Sequence, residues 1–277
     1  MRRFGLGYFV LFVVAAALLI ANATMLQAMN SDVQTQKRQA EEAIKPAEIE
    51  VTAVTAPSCQ NCFNLMNLLG SLSGNEKIKV VKTDTVDYTS AAGASMVKQY
   101  NLERAPAFII KGQTEKLLSV LPAVKSYGQL AGNDFAGKNT PAPYLEIATG
   151  QVRGEFQATY LTEKQCSECY DPTVNRQALQ QLGMRPTSET TVDRADPDGQ
   201  NLVKQYKLTT TPTVILTGDL AAYVNFNQVW KKVGTIEPDG AYVFRSGQDL
   251  MGTYYDLATK KVIKPKNDET NTNTSTP

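Results

Sequence analysis

Histidine is missing from all 277 residues of the chain. Its absence removes Ser-His-Asp and Cys-His catalysis, imidazole-ligated metals and imidazole proton shuttles together. An excess of charge of one sign is missing too, with Lys+Arg at 28 against Asp+Glu at 27. Nucleic acid is therefore not an expected partner, because binding it needs a basic surface that displaces counterions. Tryptophan occurs once and cysteine four times. With imidazole gone, the four cysteines lead the candidates for chemistry near neutral pH. Apolar residues make up 42% of the chain, enough for a core, and the length suits one large domain or two ordinary ones.

The two ends stand apart from the rest. Residues 4–21 are almost wholly apolar and follow Arg2 and Arg3. A run of about 20 apolar residues is long enough to span a bilayer, and the arginines favour a cytoplasmic N-terminus. Residues 1–24 are expected to be a signal anchor contacting the lipid bilayer. A cleaved signal peptide, with Ala21-Asn22-Ala23 as its cleavage site, is the competing reading. Either one places the remaining chain on the extracytoplasmic side, as a single-pass membrane protein or as an exported soluble form. Residues 25–46 are polar and read as a solvated helical stalk. Residues 264–277 offer nothing apolar to bury beyond their first turn and read as a disordered tail.

Between the ends the chain repeats itself. Residues 97–112 and 203–218 share eight of sixteen positions, including a proline just before an apolar run, at an offset of 106. Cys59-Gln-Asn-Cys62 matches Cys166-Ser-Glu-Cys169 at an offset of 107. Tyr144–Val152 matches Tyr254–Val262 at an offset of 110. Three anchors in one order imply a duplicated unit of about a hundred residues, the size of a small domain. The copies are set at 47–150 and 151–263.

Each copy shows the same grammar. Residues 48–56 alternate with β-branched side chains and read as a strand. A helix is expected to begin at Cys59 with Ser58 as its N-cap. Residues 78–83 form a second strand, 91–100 a second helix and 107–110 a third strand. In copy two the strands are expected at 155–161, 188–192 and 213–216, with helices after Cys166 and over 200–206. Alternating strands and helices argue for an α/β sheet with helices packed on its faces. Val97 and Tyr100 are spaced to face the sheet while Lys98 and Gln99 face water. The pieces at 144–152 and 254–262 read as edge hairpins, where Gly150 suits the turn better than Lys260 does.

A strand, a Cys-x-x-Cys, and a proline before an apolar strand some 43–44 residues later carry a resemblance. Each copy resembles the thioredoxin-like superfamily, and the tandem arrangement resembles protein disulfide oxidoreductases. The resemblance implies a central mixed sheet flanked by helices, twice over, and Cys59/Cys62 and Cys166/Cys169 as redox pairs. It also implies cis peptides at Pro106 and Pro212, with the backbone of Ala105 and Thr211 exposed for strand-like pairing with a substrate. The partners would be exported protein thiols and disulfides and an unidentified redox partner, with no cofactor or resident metal. Cys59 or Cys166 would attack and Cys62 or Cys169 would resolve the mixed disulfide, the first cysteine gaining from its place at a helix start. The chain departs from the family pattern at three points. Ser58 and Gln165 replace the aromatic before the first cysteine. Ala53 and Tyr160 stand where a buried acid is expected. Glu163, Glu168 and Asp171 surround Cys166, so Cys59 is expected to be the more reactive cysteine.

Other readings stay open beside this one. An exported chain would also close both pairs as inert structural disulfides in a binding or scaffold module. Four thiolates on one zinc ion would need spacing far wider than a compact zinc module has, and copper(I) at a single pair is also conceivable. Trp230, with Phe226 and Val229, reads as core packing. Asp193–Gly199 lacks the ligand spacing of a calcium loop and reads as a turn followed by a helix N-cap.

Overall fold

The computed structural model describes residues 25–265 apart from 28, 39 and 43. The expected signal anchor at 1–24 and most of the tail, from 266 onward, lie outside the described residues. Among the described residues no helix is long and apolar enough to cross a membrane. The stalk is helical and exposed from 25 to 44 wherever it is described.

Copy one contains β1 (Ala47–Thr55), β2 (Ile78–Asp87), β3 (Arg104–Ala105), β4 (Ala107–Gly112), β5 (Gln129–Ala131), β6 (Asp134–Gly137), β7 (Tyr144–Glu146) and β8 (Gln151–Arg153), whose pairing with β7 carries this copy past the boundary expected at 150. Its helices are α1 (Leu65–Ser73), α2 (Ala91–Tyr100) and α3 (Thr114–Val120). Copy two contains β9 (Phe156–Thr162), β10 (Ser188–Asp193), β11 (Thr210–Thr211), β12 (Thr213–Gly218), β13 (Gly234–Ile236), β14 (Tyr242–Phe244), β15 (Tyr254–Asp256) and β16 (Lys261–Ile263). Its helices are α4 (Val174–Gln181), α5 (Pro197–Gln205), α6 (Val224–Val233) and the single turn α7 (Gln248–Met251).

The two sheets have the same order, β2-β1-β4-β6-β5 and β10-β9-β12-β14-β13. In each, the first strand runs parallel to the second and antiparallel to the one after the proline. The duplication read from the sequence is thus a duplication of topology: two mixed sheets flanked by helices, each thioredoxin-like. The apolar run after each proline is explained by its place. β4 is buried over Ala107–Ile110 because both faces are covered. Phe108 and Ile110 join the cluster with Leu69, Leu72 and Leu117, while Ala107 and Ile109 join the opposite cluster with Tyr100 and Leu102. In copy two, Val214 and Leu216 go one way and Ile215 the other.

The shared Val-Lys-Gln-Tyr is packing, as its spacing predicts. Tyr100 and Tyr206 are buried, and their hydroxyls donate to Asp134 at 2.7 Å and Asp239 at 3.0 Å. Trp230 and Phe226 lie in the core of copy two with ring centroids 5.0 Å apart. Val229, expected beside them, is 45% exposed: one residue before Trp230 on α6, it points away from the face that packs. Asp193–Gly199 folds as the expected turn and helix start. Asp193 accepts the amide of Ala195, and Pro197 opens α5 three residues before the expected start.

The copies are joined by direct contacts. Ala142 packs in the core cluster of copy two. Tyr223 donates to the carbonyl of Gly154, and Asp219 accepts from Arg153 and from the Gly154 amide. Arg153 beside it holds the Asp219 carboxyl below its ordinary range.

Candidate functional site

The helices do not begin at the cysteines. α1 starts at Leu65, with the Asn64 side chain accepting the amide of Met66, and α4 starts at Val174. Both pairs lie in the turns between strand and helix. The expected helix-dipole assistance to Cys59 and Cys166 is therefore corrected, since that effect fades beyond the first turn. The cause is local. The Phe63 amide is taken by the carbonyl of Pro143 at 2.7 Å, leaving Asn64 to cap. In copy two, Pro172 keeps the residue before it out of helical geometry, and Asp171 accepts the Thr173 amide instead.

Both pairs are closed as disulfides, Cys59–Cys62 across 5.4 Å between α-carbons and Cys166–Cys169 across 5.3 Å. Because each pair closes within its own copy, four thiolates do not meet around one ion. The described residues also hold no group of three or more His, Cys, Asp or Glu placed for a metal. The amides of Cys59 and Cys166 donate to the carbonyls of Ala56 and Glu163, so both loops turn alike. The peptides Ala105–Pro106 and Thr211–Pro212 are cis, as the resemblance implies, and Ala142–Pro143 is cis as well. Cys62 Sγ lies 3.8 Å from the carbonyl oxygen of Ala105, which brings the first pair to the residue before its proline.

The backbone edge at Ala105 and Thr211 is not open. β7 pairs antiparallel with β3, setting Ala105 opposite Leu145, and β15 pairs with β11, setting Thr211 opposite Tyr255. The amide of Ile147 donates to Glu103, and that of Leu257 to Thr209. Two residues further along each ladder the hydrogen-bonded position recurs, at Ala105–Leu145 and Thr211–Tyr255. The edge hairpins read from the sequence therefore fill the strand position expected for a substrate, because each copy's own chain returns to it. Both hairpins turn on a left-handed residue, Gly150 with φ +69° and Lys260 with φ +56°.

The copies differ most behind the disulfides. In copy one, Cys59 packs with Ala56, Ala105 and Leu145, with Tyr88 alongside. In copy two the equivalent positions are polar. Glu163 stands for Ala56, Arg194 for Tyr88 and Thr211 for Ala105. The equivalence is fixed by matching hydrogen bonds, Tyr88 amide to Thr55 and Arg194 amide to Thr162. Thr211 donates to Glu163 at 2.7 Å, Arg194 Nη2 donates to Glu163 at 2.9 Å, and Arg194 sits 5.6 Å over the Tyr255 ring of the hairpin. The Glu163 carboxylate holds the Arg194 pKa above its ordinary value. Glu163 was expected to repel a thiolate at Cys166; its charge is instead matched by Arg194. Glu168 pairs with Lys264 at 2.6 Å. No reading of the sequence singled out Arg194. The signal was three aligned positions changing from apolar to polar together.

Ala53 and Tyr160, at the positions where an acid was expected, are both buried. The Tyr160 hydroxyl donates to Glu189 at 2.9 Å.

A strand order repeated twice, each time with a Cys-x-x-Cys disulfide followed in the chain by a cis X–Pro, is consistent with a tandem thioredoxin-like fold. No known family profile matches the chain and no curated protein matches it. Among solved structures it is similar to the NTD_N/C domain of alkylhydroperoxide reductase AhpF from Enterococcus faecalis, at 14% identity and a TM-score of 0.22, over 67% of this chain and 90% of that one. It is similar to a protein disulfide oxidoreductase from Aeropyrum pernix, at 14% identity and a TM-score of 0.19, over 67% of this chain and 83% of that one. It is also similar to ERdj5, at 12% identity and a TM-score of 0.21, spanning 69% of this chain but 28% of that one. At these values the likenesses transfer no activity, and the description of the fold rests on its own topology.

Proposed function

We propose that the chain is a thiol–disulfide oxidoreductase acting on exported protein thiols and disulfides, with Cys59–Cys62 as its principal couple. It would be held at the membrane by its N-terminal apolar segment. The observation that carries this reading is the twofold recurrence of a Cys-x-x-Cys disulfide with its second cysteine half-exposed, the first such pair lying 3.8 Å from the residue before its proline. Reaching a partner requires an accessible sulfur, and in both copies the second cysteine is less buried than the first. The test is to equilibrate the chain in graded thiol–disulfide buffers and count alkylated cysteines. A midpoint above about −300 mV for Cys59–Cys62 is expected; a value below it makes the disulfide structural. Membrane attachment is tested by fractionation with and without residues 1–24, and recovery of both forms in the soluble fraction defeats it.

One observation favours a second reading, a redox-inert binding module. In both copies the edge before the proline is already paired, and the first cysteine is 9% or less exposed. The same titration separates the two readings.

A further inference from the structure

The exchange reading leaves open which sulfur of each pair meets the partner. Resting on that reading, we propose that in copy one it is the second cysteine, Cys62, with Cys59 as the covered sulfur that leaves. Three observations point the same way. Burial runs in this order in both copies: Cys59 is 9% and Cys166 7% exposed, while Cys62 and Cys169 are half-buried. The covering of Cys59 is specific, because Leu145 of the β7–β8 hairpin packs on it together with Ala56 and Ala105. Finally, Cys62 lines two separate openings. One is a groove of 280 Å³ that also reaches Cys59, bordered by Met66, Thr85 and Pro106. The other is a cleft of 440 Å³ between the copies, bordered by Asn67, Pro143 and Arg185, which Cys62 lines without Cys59.

Exchange proceeds by in-line attack of a thiolate on one sulfur of the disulfide, and access decides which sulfur is taken. With strands already paired at Ala105, a partner cannot dock by adding a strand there. It reaches the disulfide from the cleft, where Cys62 is presented. A substrate thiolate attacks Cys62 Sγ, forming a substrate–Cys62 disulfide and breaking the Cys59–Cys62 bond. The bonding electron pair leaves with Cys59 as a thiolate, which then takes a proton from solvent. A second substrate thiolate attacks the substrate sulfur of the mixed disulfide and expels Cys62 as a thiolate. Two substrate thiols are oxidised to one disulfide and the Cys59/Cys62 pair is reduced.

The test uses the full chain with one cysteine left at a time. C59S/C166S/C169S keeps Cys62 and C62S/C166S/C169S keeps Cys59. Each is mixed with 5,5′-dithiobis(2-nitrobenzoic acid), native and in urea. Cys62 is expected to react at least about tenfold faster than Cys59 in the native chain, the two rates converging in urea. Equal native rates, or a faster Cys59, overturn the assignment. Because these variants remove disulfides, a second measurement keeps the chain intact. Oxidised wild-type protein is exposed briefly to glutathione, quenched in acid and alkylated, and the glutathione adduct is located by mass spectrometry. An adduct mainly on Cys62 supports the proposal and one mainly on Cys59 refutes it. Absence of any adduct on the wild-type disulfides brings down the exchange reading itself, and this assignment with it.

Discussion

Glu163 is buried with its side chain 1% exposed, while that of its partner Arg194 is 23% exposed. Replacing Arg194 by Tyr, the residue at the equivalent position of copy one, leaves the carboxylate with only the Thr211 hydroxyl. Stranding one partner of a buried ion pair costs about 3–5 kcal/mol. Water that reaches Arg194 moderates this, so the low end, about 3 kcal/mol, is the expected loss. The triple variant Glu163→Ala, Arg194→Tyr, Thr211→Ala imports the residues of copy one at these three positions, Ala56, Tyr88 and Ala105. Replacing a buried ion pair by apolar residues is often neutral, so the triple variant is expected within about 1 kcal/mol of wild type. The assay is built into the chain, because its single tryptophan, Trp230, lies in the core of copy two. Urea unfolding followed by its fluorescence therefore reports this copy. With a slope of about 2 kcal/mol per molar urea, the single variant should lower the midpoint by about 1.5 M and the triple variant by less than about 0.5 M. A triple variant as unstable as the single one, or a single variant losing under about 1 kcal/mol, would refute the reasoning.

Alkali should act through the buried tyrosines. Burial first, then the carboxylates of Asp134, Glu189 and Asp239, push Tyr100, Tyr160 and Tyr206 up to about 12 from an ordinary 10.0. Unfolding frees these phenols to ionise earlier, so their stabilisation is complete below pH 10 and is lost as pH rises through about 12. Phenolate absorbance should show a late step for these three together with Tyr170, Tyr223 and Tyr242, which burial also pushes up, and uniform titration of all 12 tyrosines near pH 10 would contradict this. Glycines give a paired comparison. A Cβ at Gly93 would stand 1.9 Å from the Asp87 carbonyl oxygen, and one at Gly199 2.0 Å from that of Asp193. Gly93→Ala and Gly199→Ala should each cost about 3 kcal/mol in urea unfolding. Gly70→Ala, in α1 with nothing within 4 Å, should gain about 0.5–1 kcal/mol. Equal effects at all three would show that the backbone contacts do not matter.

The fold was legible because its signals were repeated. A proline before an apolar run marked β4 and β12, and the Tyr144 and Tyr254 segments marked the hairpins. What escaped was set by contacts distant in sequence. Cys59 read as a helix start because Ser58 is a good cap, yet Asn64 competes for that role and Pro143 takes the Phe63 amide from 80 residues away. Glu163 read as a lone charge because its partners lie 31 and 48 residues on. The hairpins were foreseen as edges, but their partner strands, two residues each, are too short to leave a periodic signal.

Those two-residue strands bear on how such a chain came to be doubled. A sheet edge with unpaired amides and carbonyls invites association with any neighbouring chain. Here the last segment of each unit folds back over the edge at that unit's own proline. A unit of this kind brings its own closure. Placed head to tail with a second copy, it leaves no unpaired backbone at that position for the neighbour, or for another molecule, to join. Duplication is then a matter of linking two finished objects, and the residues around each disulfide are free to diverge, as Ala56 and Glu163 have.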